Sequence, residues 1–261
     1  MPNFQEKALV QDHVQLAPDI YRLTLHAPNI ASAAKPGQFV MLKCTDGYDP
    51  LLRRPLSIHD KTTKGHLDLL YKVTGTGTRL LAQARPGSEI DLLGPLGRGF
   101  TYYPEESACL IGGGMGIAPL LFLARALQTV TNPRQDHTVL LGARDKTELE
   151  PLARDFFAMG YTVHLATDDG SLGHHGFISV LSEDFVSKAQ MVFVCGPHPL
   201  MAVIAAQCHA ARVPCQATLE THMACGLGAC LGCTVQAFDT TYRHVCTHGP
   251  VFFADEILWT L

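Results

Sequence analysis

Four cysteines near the end of the chain constrain the fold more than any other feature of the sequence. They follow the spacing C-x4-C-x2-C-x12-C, with glycines at positions 226, 228 and 232 between them. The first three have the spacing with which plant-type [2Fe–2S] proteins bind iron, whereas the fourth lies closer than in those proteins. Glycines let such a loop wrap a small inorganic core and point backbone N–H groups at its sulfides. The pattern therefore predicts four iron ligands: Cys225, Cys230, Cys233 and Cys246.

A structural zinc site is the alternative interpretation of the same cysteines. Zinc sites usually pair two C-x2–4-C knuckles, and only Cys230 and Cys233 form one here. His222, His244 and His248 lie nearby, but the paired Cys-x-His elements of a Rieske centre are absent. In this alternative the tail is a zinc knuckle on a binding module without redox function.

Composition and charge argue against several other classes of protein. The 261 residues are enough for about two domains, and 47% hydrophobic with 17% charged residues argue against disorder. The net charge of −4, without a basic run, argues against nucleic-acid binding. Nine cysteines are an odd number and too few for a disulfide scaffold, and the first residues contain no apolar signal core. We therefore expect a protein of the reducing cytoplasm.

Turn signals divide the chain into three parts. In the first hundred residues, short strands at 39–42, 54–58, 67–73 and 89–93 predict a small antiparallel barrel. Strands then alternate with helices up to about residue 218, which indicates βαβ units and a parallel sheet. The uncharged stretch 107–124 is just long enough for a membrane span, but its glycines favour a strand, a turn and a helix start. From 219 to 261 the pattern gives way to cysteines and glycines.

Two turns that each follow an apolar strand predict a nucleotide site. Residues 111–119 read IGGGMGIAP, and residues 195–201 read CGPHPLM. Such turns at the carboxyl ends of two strands in one sheet define a crevice where a dinucleotide can lie. The first turn departs from G-x-G-x-x-G, so an ordinary tight turn is its alternative. Cys195 is either a small packing residue or a thiol that faces the cofactor.

The barrel region contains a candidate anion site in the sequence RRPLS at 53–57. An arginine fork matches phosphate geometry, and the Ser57 hydroxyl could reach a ring heteroatom. The alternative is a solvated edge strand. The sequence GTGT at 75–78 would supply backbone N–H groups and a helix start for the same pyrophosphate.

In this order the motifs resemble those of the ferredoxin–NADP reductase superfamily. The shared elements are R-P-x-S on a barrel strand, GGGxGIAP at the start of an α/β region and CGPxPLM near its end. The cysteine motif narrows the resemblance to the electron-transfer subunits of type B dihydroorotate dehydrogenases, over nearly the whole chain. The resemblance implies an FAD-binding β-barrel domain at 1–98, an NAD-binding α/β domain at 99–218 and a [2Fe–2S] segment at 219–261.

The resemblance also implies which residues contact the two nucleotides. Leu56 stands where the superfamily often has tyrosine, so an aromatic stack on the flavin is not assured. The sequence Arg144-Asp145 is ambiguous between NAD and NADP, and the resemblance favours NAD. The implied FAD contacts are Arg54, Pro55, Leu56, Ser57, Leu70, Tyr71, Lys72, Gly77 and Thr78, and the implied NAD contacts are Gly113, Gly114 and Gly116.

The function that the resemblance implies is electron transfer in pyrimidine (UMP) biosynthesis. Electrons would pass from the FMN of a separate catalytic subunit through [2Fe–2S] and FAD to NAD⁺, in a heterotetramer with two copies of each chain. Nicotinamides exchange hydride, clusters exchange single electrons and flavins do both, so the set forms a two-to-one electron converter. Electron transfer of this kind needs no general base, and we predict no catalytic residue on this chain. A related reductase subunit of a hydrogenase, sulfite reductase or ferredoxin–NADP transhydrogenase is the alternative.

Overall fold

The computed structural model describes residues 3–103, 105–128 and 137–259. Over these residues the chain forms an antiparallel barrel, a seven-stranded sheet and a two-stranded C-terminal hairpin. The strands are β1 (Phe4–Ala17), β2 (Ile20–His26), β3 (Phe39–Leu42), β4 (Arg54–Lys61), β5 (His66–Lys72), β6 (Glu89–Leu96), β7 (Ala108–Gly113), β8 (Thr138–Ala143), β9 (Thr162–Thr167), β10 (His174–His175), β11 (Met191–Cys195), β12 (Cys215–Thr218), β13 (Thr234–Gln236), β14 (Tyr242–His244) and β15 (Val251–Phe253). The helices are α1 (Pro28–Ala33), α2 (Thr76–Leu81), α3 (Leu120–Gln128), α4 (Lys146–Ala158), α5 (Ile178–Leu181), α6 (Glu183–Val186), α7 (His198–Ala211) and α8 (Val245–His248).

The barrel closes in the strand order β1-β2-β5-β4-β3-β6, with every neighbouring pair antiparallel. Alternate side chains point inward, and Leu23, Leu25, Leu67 and Leu69 are fully buried within the barrel. The four predicted strands are present, although β4 and β6 extend further than the sequence indicated. The predicted antiparallel barrel is therefore confirmed.

The seven-stranded sheet has the order β10-β9-β8-β7-β11-β12-β15. All neighbouring strands are parallel except β12 and β15. One face packs on α3 and α4 and the other on α7, so the sheet is buried on both sides. β15 belongs to the cysteine-rich tail, which the sequence presented as irregular. That expectation was incomplete, because the tail supplies the last strand of this sheet.

The uncharged stretch folds as predicted, into strand β7, a turn and the start of α3. The turn, Gly114–Ile117, is a single 3-10 turn. Within the described ranges, no helix is both long and apolar enough to cross a membrane.

Polar contacts hold the barrel against the sheet beside this turn. His59 Nδ1 lies 2.7 Å from the carbonyl oxygen of Ala118, and Arg125 forms a 2.7 Å ion pair with Asp60. β7 and β11 are neighbours, although β8, β9 and β10 lie between them in the sequence. The strand order therefore reverses at this pair, and ligands of open α/β sheets bind at such a switch point. The barrel covers this edge of the sheet.

Candidate functional site

A cavity of about 280 Å³ lies between the barrel, the sheet and the C-terminal segment. Its sheet side contains Met115 and Ala118 of the glycine-rich turn, and its C-terminal side runs from Thr218 to Met223. Its barrel side contains eight of the nine residues predicted to contact FAD: Arg54, Pro55, Leu56, Ser57, Leu70, Tyr71, Lys72 and Thr78.

Arg53 and Arg54, the two adjacent arginines where β4 begins, have different surroundings. Arg53 forms a 2.9 Å ion pair with Asp91 and also donates to the Asp91 carbonyl oxygen at 2.9 Å. Arg54 lines the cavity and donates to the carbonyl oxygen of Leu52 at 2.6 Å. The two side chains therefore do not form one anion fork, because Asp91 on β6 holds Arg53 away. Only Arg54 is left to meet a ligand in the cavity.

Gly77, the ninth predicted residue, is packed directly beneath Arg54. A Cβ at this position would come within 2.6 Å of Arg54 Nε, so any side chain would displace the guanidinium. The Thr78 hydroxyl accepts hydrogen bonds from the backbone N–H groups of Thr74 and Gly75, at 2.9 and 3.2 Å. The GTGT sequence thus forms the N-cap and first turn of α2, which support Arg54 at the edge of the cavity.

Tyr71 and Lys72 contribute to the cavity in different ways. The Tyr71 ring packs in the barrel core and its hydroxyl lies 2.9 Å from His13 Nε2, so its backbone is the part that can reach a ligand. Burial raises the pKa of the Tyr71 hydroxyl. Lys72 Nζ donates to Glu148 on α4 at 3.0 Å, which links the barrel to the sheet at the cavity.

The C-terminal side of the cavity carries polar groups that the sequence did not single out. The hydroxyl oxygens of Thr218 and Thr221 are buried, and neither has a hydrogen-bond partner among the described residues. Buried polar groups are normally satisfied, so their position on a cavity wall indicates a ligand with polar atoms. Glu220 lies between them and is exposed, but the protein around its carboxyl group partly desolvates it and raises its pKa. A flavin ring, with nitrogen and oxygen atoms along its edge, fits this wall.

The turns after β7 and β11 meet as predicted. Gly116 packs directly against the backbone of Cys195 and Gly196, where no side chain would fit. A Cβ on Gly113 would contact the Leu200 side chain at 2.5 Å. Gly114 has a φ of +52° and open space where its side chain would be. Close packing therefore explains two of the three glycines, and Gly114 faces the open side of the turn.

Cys195 at the end of β11 is a buried thiol. Its Sγ lies 3.7 Å from the carbonyl oxygen of Thr218, and only 1% of the residue is exposed. Burial, together with the nearby Glu220 carboxylate, raises the pKa of this thiol well above its usual value. Of the two interpretations of Cys195, the structure favours the packing residue.

The four cysteines of the tail approach one another in two pairs. Cys225 Sγ accepts the backbone N–H of Cys230 at 3.5 Å, and Cys233 Sγ accepts that of Cys246 at 3.4 Å. Gly226 and Gly228, at φ values of +72° and +80°, shape the loop between the first pair. A [2Fe–2S] core has two irons with two ligands each, and the paired thiols fit this donor set.

The environment of these thiols differs along the loop. Burial raises the pKa of Cys225, but hydrogen bonds from the N–H groups of Leu227 and Cys230 outweigh it and lower that pKa to about 6. Burial and the Cys233 thiol raise the pKa of Cys246 to about 12. Backbone N–H groups that already stabilise a thiolate suit a metal-binding loop. No three His, Cys, Asp or Glu side chains in the described ranges converge on a single-ion site.

The cavity and the cysteine loop are parts of one continuous segment. Met223 lines the cavity, and Cys225 is only two residues further along the chain. Two residues of extended backbone span at most about 7 Å. A group bound in the cavity and one bound by the cysteines would therefore be close neighbours.

Two family models match parts of this chain. The family described as "Oxidoreductase FAD-binding domain" matches residues 7–102. The family described as "Iron-sulfur cluster binding domain of dihydroorotate dehydrogenase B" matches residues 220–258. The chain is 42% identical over 251 residues to a dihydroorotate dehydrogenase B (NAD(+)) electron transfer subunit of Desulforamulus reducens, covering 94% of each chain. This chain belongs to that family of electron transfer subunits. It is accordingly an oxidoreductase subunit.

Further relatives cover almost the whole chain. The electron transfer subunit of Geobacillus kaustophilus is 38% identical over 260 residues, covering 97% of this chain and 98% of the relative. Among solved structures, an NADH-dependent reduced ferredoxin-NADP oxidoreductase aligns with a TM-score of 0.86 and 27% identity, over 97% of this chain and 90% of that one. A ferredoxin reductase of carbazole 1,9a-dioxygenase, at 21% identity and a TM-score of 0.68, shares the fold.

Replacing Arg54 tests the barrel side of the site. We expect Arg54→Ala to weaken FAD binding by about 10- to 100-fold, because charge-assisted hydrogen bonds contribute roughly 1.5–3 kcal/mol. The matched control is Arg53→Ala, which removes the neighbouring guanidinium but leaves the cavity wall in place. Fluorescence titration of the FAD-free proteins measures both affinities. Equal losses in the two variants would contradict the assignment of Arg54 to the cofactor.

Proposed function

We propose that this chain carries electrons between a separate FMN-containing dihydroorotate dehydrogenase subunit and NAD⁺, by way of a [2Fe–2S] cluster and FAD. The reaction belongs to the synthesis of pyrimidine nucleotides, and the reducing cytoplasm is its proposed compartment. The observation that carries the proposal is the short segment from Met223 to Cys225, which joins the flavin-sized cavity to the cysteine loop. Flavin bound there exchanges hydride with nicotinamide and single electrons with the cluster.

Three parts of the chain would divide this work, at 1–98 for FAD, 99–218 for NAD and 219–261 for the cluster. Arg54 would meet the FAD pyrophosphate, and Ser57 the edge of the ring. Gly114 would admit the nicotinamide nucleotide at the switch point, while Gly113 and Gly116 keep the two turns close enough to form it. The cysteines would hold the irons in two pairs. The remaining FAD contacts would be Pro55, Leu56, Leu70, Tyr71, Lys72, Gly77 and Thr78.

The partner would be the catalytic subunit, in a complex of two copies of each chain. The names of the relatives support such a partner, because an electron transfer subunit implies a second subunit that carries out the chemistry on dihydroorotate. A second candidate function is that of a ferredoxin–NADP transhydrogenase subunit, which the similarity to the NADH-dependent reduced ferredoxin-NADP oxidoreductase favours. The two candidates differ in the partner and not in the cofactors of this chain.

NAD(H) is expected to be the preferred nucleotide. Arg144 is the basic residue that would meet a 2′-phosphate. Its Nε donates a hydrogen bond to Glu148 Oε2 at 3.2 Å, and the same carboxylate accepts a hydrogen bond from Lys72 Nζ. An adjacent carboxylate disfavours a phosphate at this position, and the relatives carry NAD(+) in their names.

Steady-state reduction of an artificial dye with either nucleotide tests the proposed function. We expect kcat/KM to be at least about 10-fold higher for NADH than for NADPH, a factor that corresponds to roughly 1.4 kcal/mol. The two nucleotides serve as controls for each other in the same preparation. A higher kcat/KM for NADPH would contradict the preference, and failure to reduce the dye with either would contradict the function.

A further inference from the structure

A second cavity, of about 490 Å³, lies between the barrel and the cysteine loop. Its barrel side includes residues 95–100, and its C-terminal side contains Gly226, Leu227, Cys246 and Thr247. It shares no lining residue with the flavin-sized cavity. The segment from Thr218 to Met223, before the first cysteine, therefore faces the flavin site, whereas the two residues directly after that cysteine face the second cavity.

The charged side chains that line the second cavity are both cationic. Lys35 and Arg98 are exposed, and neither forms an ion pair with another described residue. Among the described residues of its wall there is no aspartate or glutamate. The whole chain has a net charge of −4, so this cavity is a local positive site on an acidic protein. Such a site attracts and orients a negatively charged group.

Buried hydrogen bonds fix the backbone that carries the two cations. Gln38, which is only 1% exposed, accepts the backbone N–H of Lys35 at 2.9 Å and donates to the carbonyl oxygen of Gly97 at 2.8 Å. The next residue, Arg98, donates its backbone N–H to the carbonyl oxygen of Gly249. Because one buried side chain joins both segments, the cations stand on a fixed frame, and binding of an anion needs little rearrangement of the backbone.

The position of the second cavity beside the cysteines favours a protein carboxylate as its occupant. In the proposed function another subunit must lie against the cysteine loop, because it exchanges electrons with the group that the cysteines hold. Cys246 lines the second cavity, and so does Leu227, which is 49% exposed. Interfaces combine such apolar contacts with charged groups, and complementary charges set the orientation of the partners. An acidic side chain seated here would bring the partner's surface next to Cys246.

We propose that the second cavity is the docking site for an acidic side chain, aspartate or glutamate, of the catalytic subunit. The carboxylate lies between Lys35 Nζ and the Arg98 guanidinium, and Leu227 packs against the partner's surface beside it. This contact places the partner on the Cys246 side of the cysteine loop. The inference rests on the proposed function and adds to it the chemistry of the surface that the partner presents.

Charge reversal tests the proposal in the full chain loaded with FAD and the cluster. Surface plasmon resonance measures the rate constant of association with the catalytic subunit at low and at high salt. We expect Lys35→Glu combined with Arg98→Glu to slow association at low salt by about 100-fold and to remove most of its salt dependence, because attraction becomes repulsion. The matched control combines Lys64→Glu with Arg85→Glu, which are exposed elsewhere on the barrel, and should stay within about threefold of wild type.

Cross-linking of the wild-type complex gives a readout that needs no folded variant. A water-soluble carbodiimide joins a lysine amine to a carboxylate in contact with it as an amide, and takes up the water that is removed. We expect mass spectrometry to find a peptide that joins Lys35 to an aspartate or glutamate of the catalytic subunit. Lys35→Arg keeps the charge but not the primary amine, so it should associate at the wild-type rate and yield no such peptide.

Three results would contradict these expectations. Association of the double glutamate variant at the wild-type rate would overturn the proposal. A cross-link from Lys35 only to another copy of this chain would also overturn it, because the second cavity would then belong to a contact between copies. Failure of the wild-type chain to bind the catalytic subunit would contradict the proposed function itself, and the proposal with it.

Discussion

Cys233→Ser is expected to remove the iron–sulfur cluster and leave FAD bound. Cys233 is only 2% exposed, and its sulfur accepts the N–H of Cys246 at 3.4 Å, so the loop offers no other sulfur ligand at this point. Loss of an outer-shell partner alone costs about 10- to 100-fold in metal affinity, and loss of a ligand should cost more. Electron transfer from the catalytic partner should therefore fall by about 100-fold or more. Serine at Cys225, Cys230 or Cys246 should act in the same way.

Iron, acid-labile sulfide and flavin contents of anaerobically purified protein measure this outcome. The wild type should contain one FAD and one [2Fe–2S] cluster per chain, and the variant should contain the FAD alone. Cys44→Ser is the matched control, because Cys44 follows β3 and belongs to neither cysteine pair. Reduction of ferricyanide by NADH should survive in all of these proteins, because it needs only the flavin. Zinc without acid-labile sulfide in the wild type would restore the zinc-knuckle interpretation.

The elements predicted correctly from the sequence are those whose pattern is local. β3 is found with the predicted bounds, and β11 is the apolar strand predicted before the turn at 195–201, since each is a short and fully buried apolar run between turn signals. The barrel also contains β1 and β2, which the sequence did not mark clearly. Only three residues of the 14-residue β1 are buried, and its apolar residues Ala8, Leu9 and Val10 are consecutive, so the sequence lacks a clear apolar–polar alternation.

The candidate site shows the same limit in its individual residues. The local sequence reveals the R-P-x-S motif and the cysteine spacing, but it does not show which of the two arginines lines the cavity. That choice depends on Asp91, which lies 38 positions from Arg53 in the sequence and pairs with it across the barrel. The cavity wall formed by Thr218, Glu220 and Thr221 could not be found from neighbouring residues either, since it arises from the fold that brings the C-terminal segment to the same cavity as β4 and β5.

The chain alone should be unable to oxidise dihydroorotate. Removal of hydrogen from a C–C bond requires a base within about 3 Å of the substrate and beside a flavin ring. The cavity adjoins the glycine-rich turn through Met115 and Ala118. In the proposed function, a flavin bound there would therefore serve the nicotinamide. The described chain has one barrel and one seven-stranded sheet, and not the eight βα units of a TIM barrel. A separate catalytic subunit must therefore supply the electrons.

Dihydroorotate-dependent formation of NADH tests the electron-transfer assignment most directly. The assay compares this chain alone, the catalytic subunit alone and the two mixed, with NADH followed by its absorbance. We predict no NADH from either protein alone, and rapid formation from the mixture together with a stable complex of two copies of each chain. Failure to associate with the catalytic subunit would favour the transhydrogenase or hydrogenase alternative. Formation of NADH from dihydroorotate by this chain alone would contradict the division of labour.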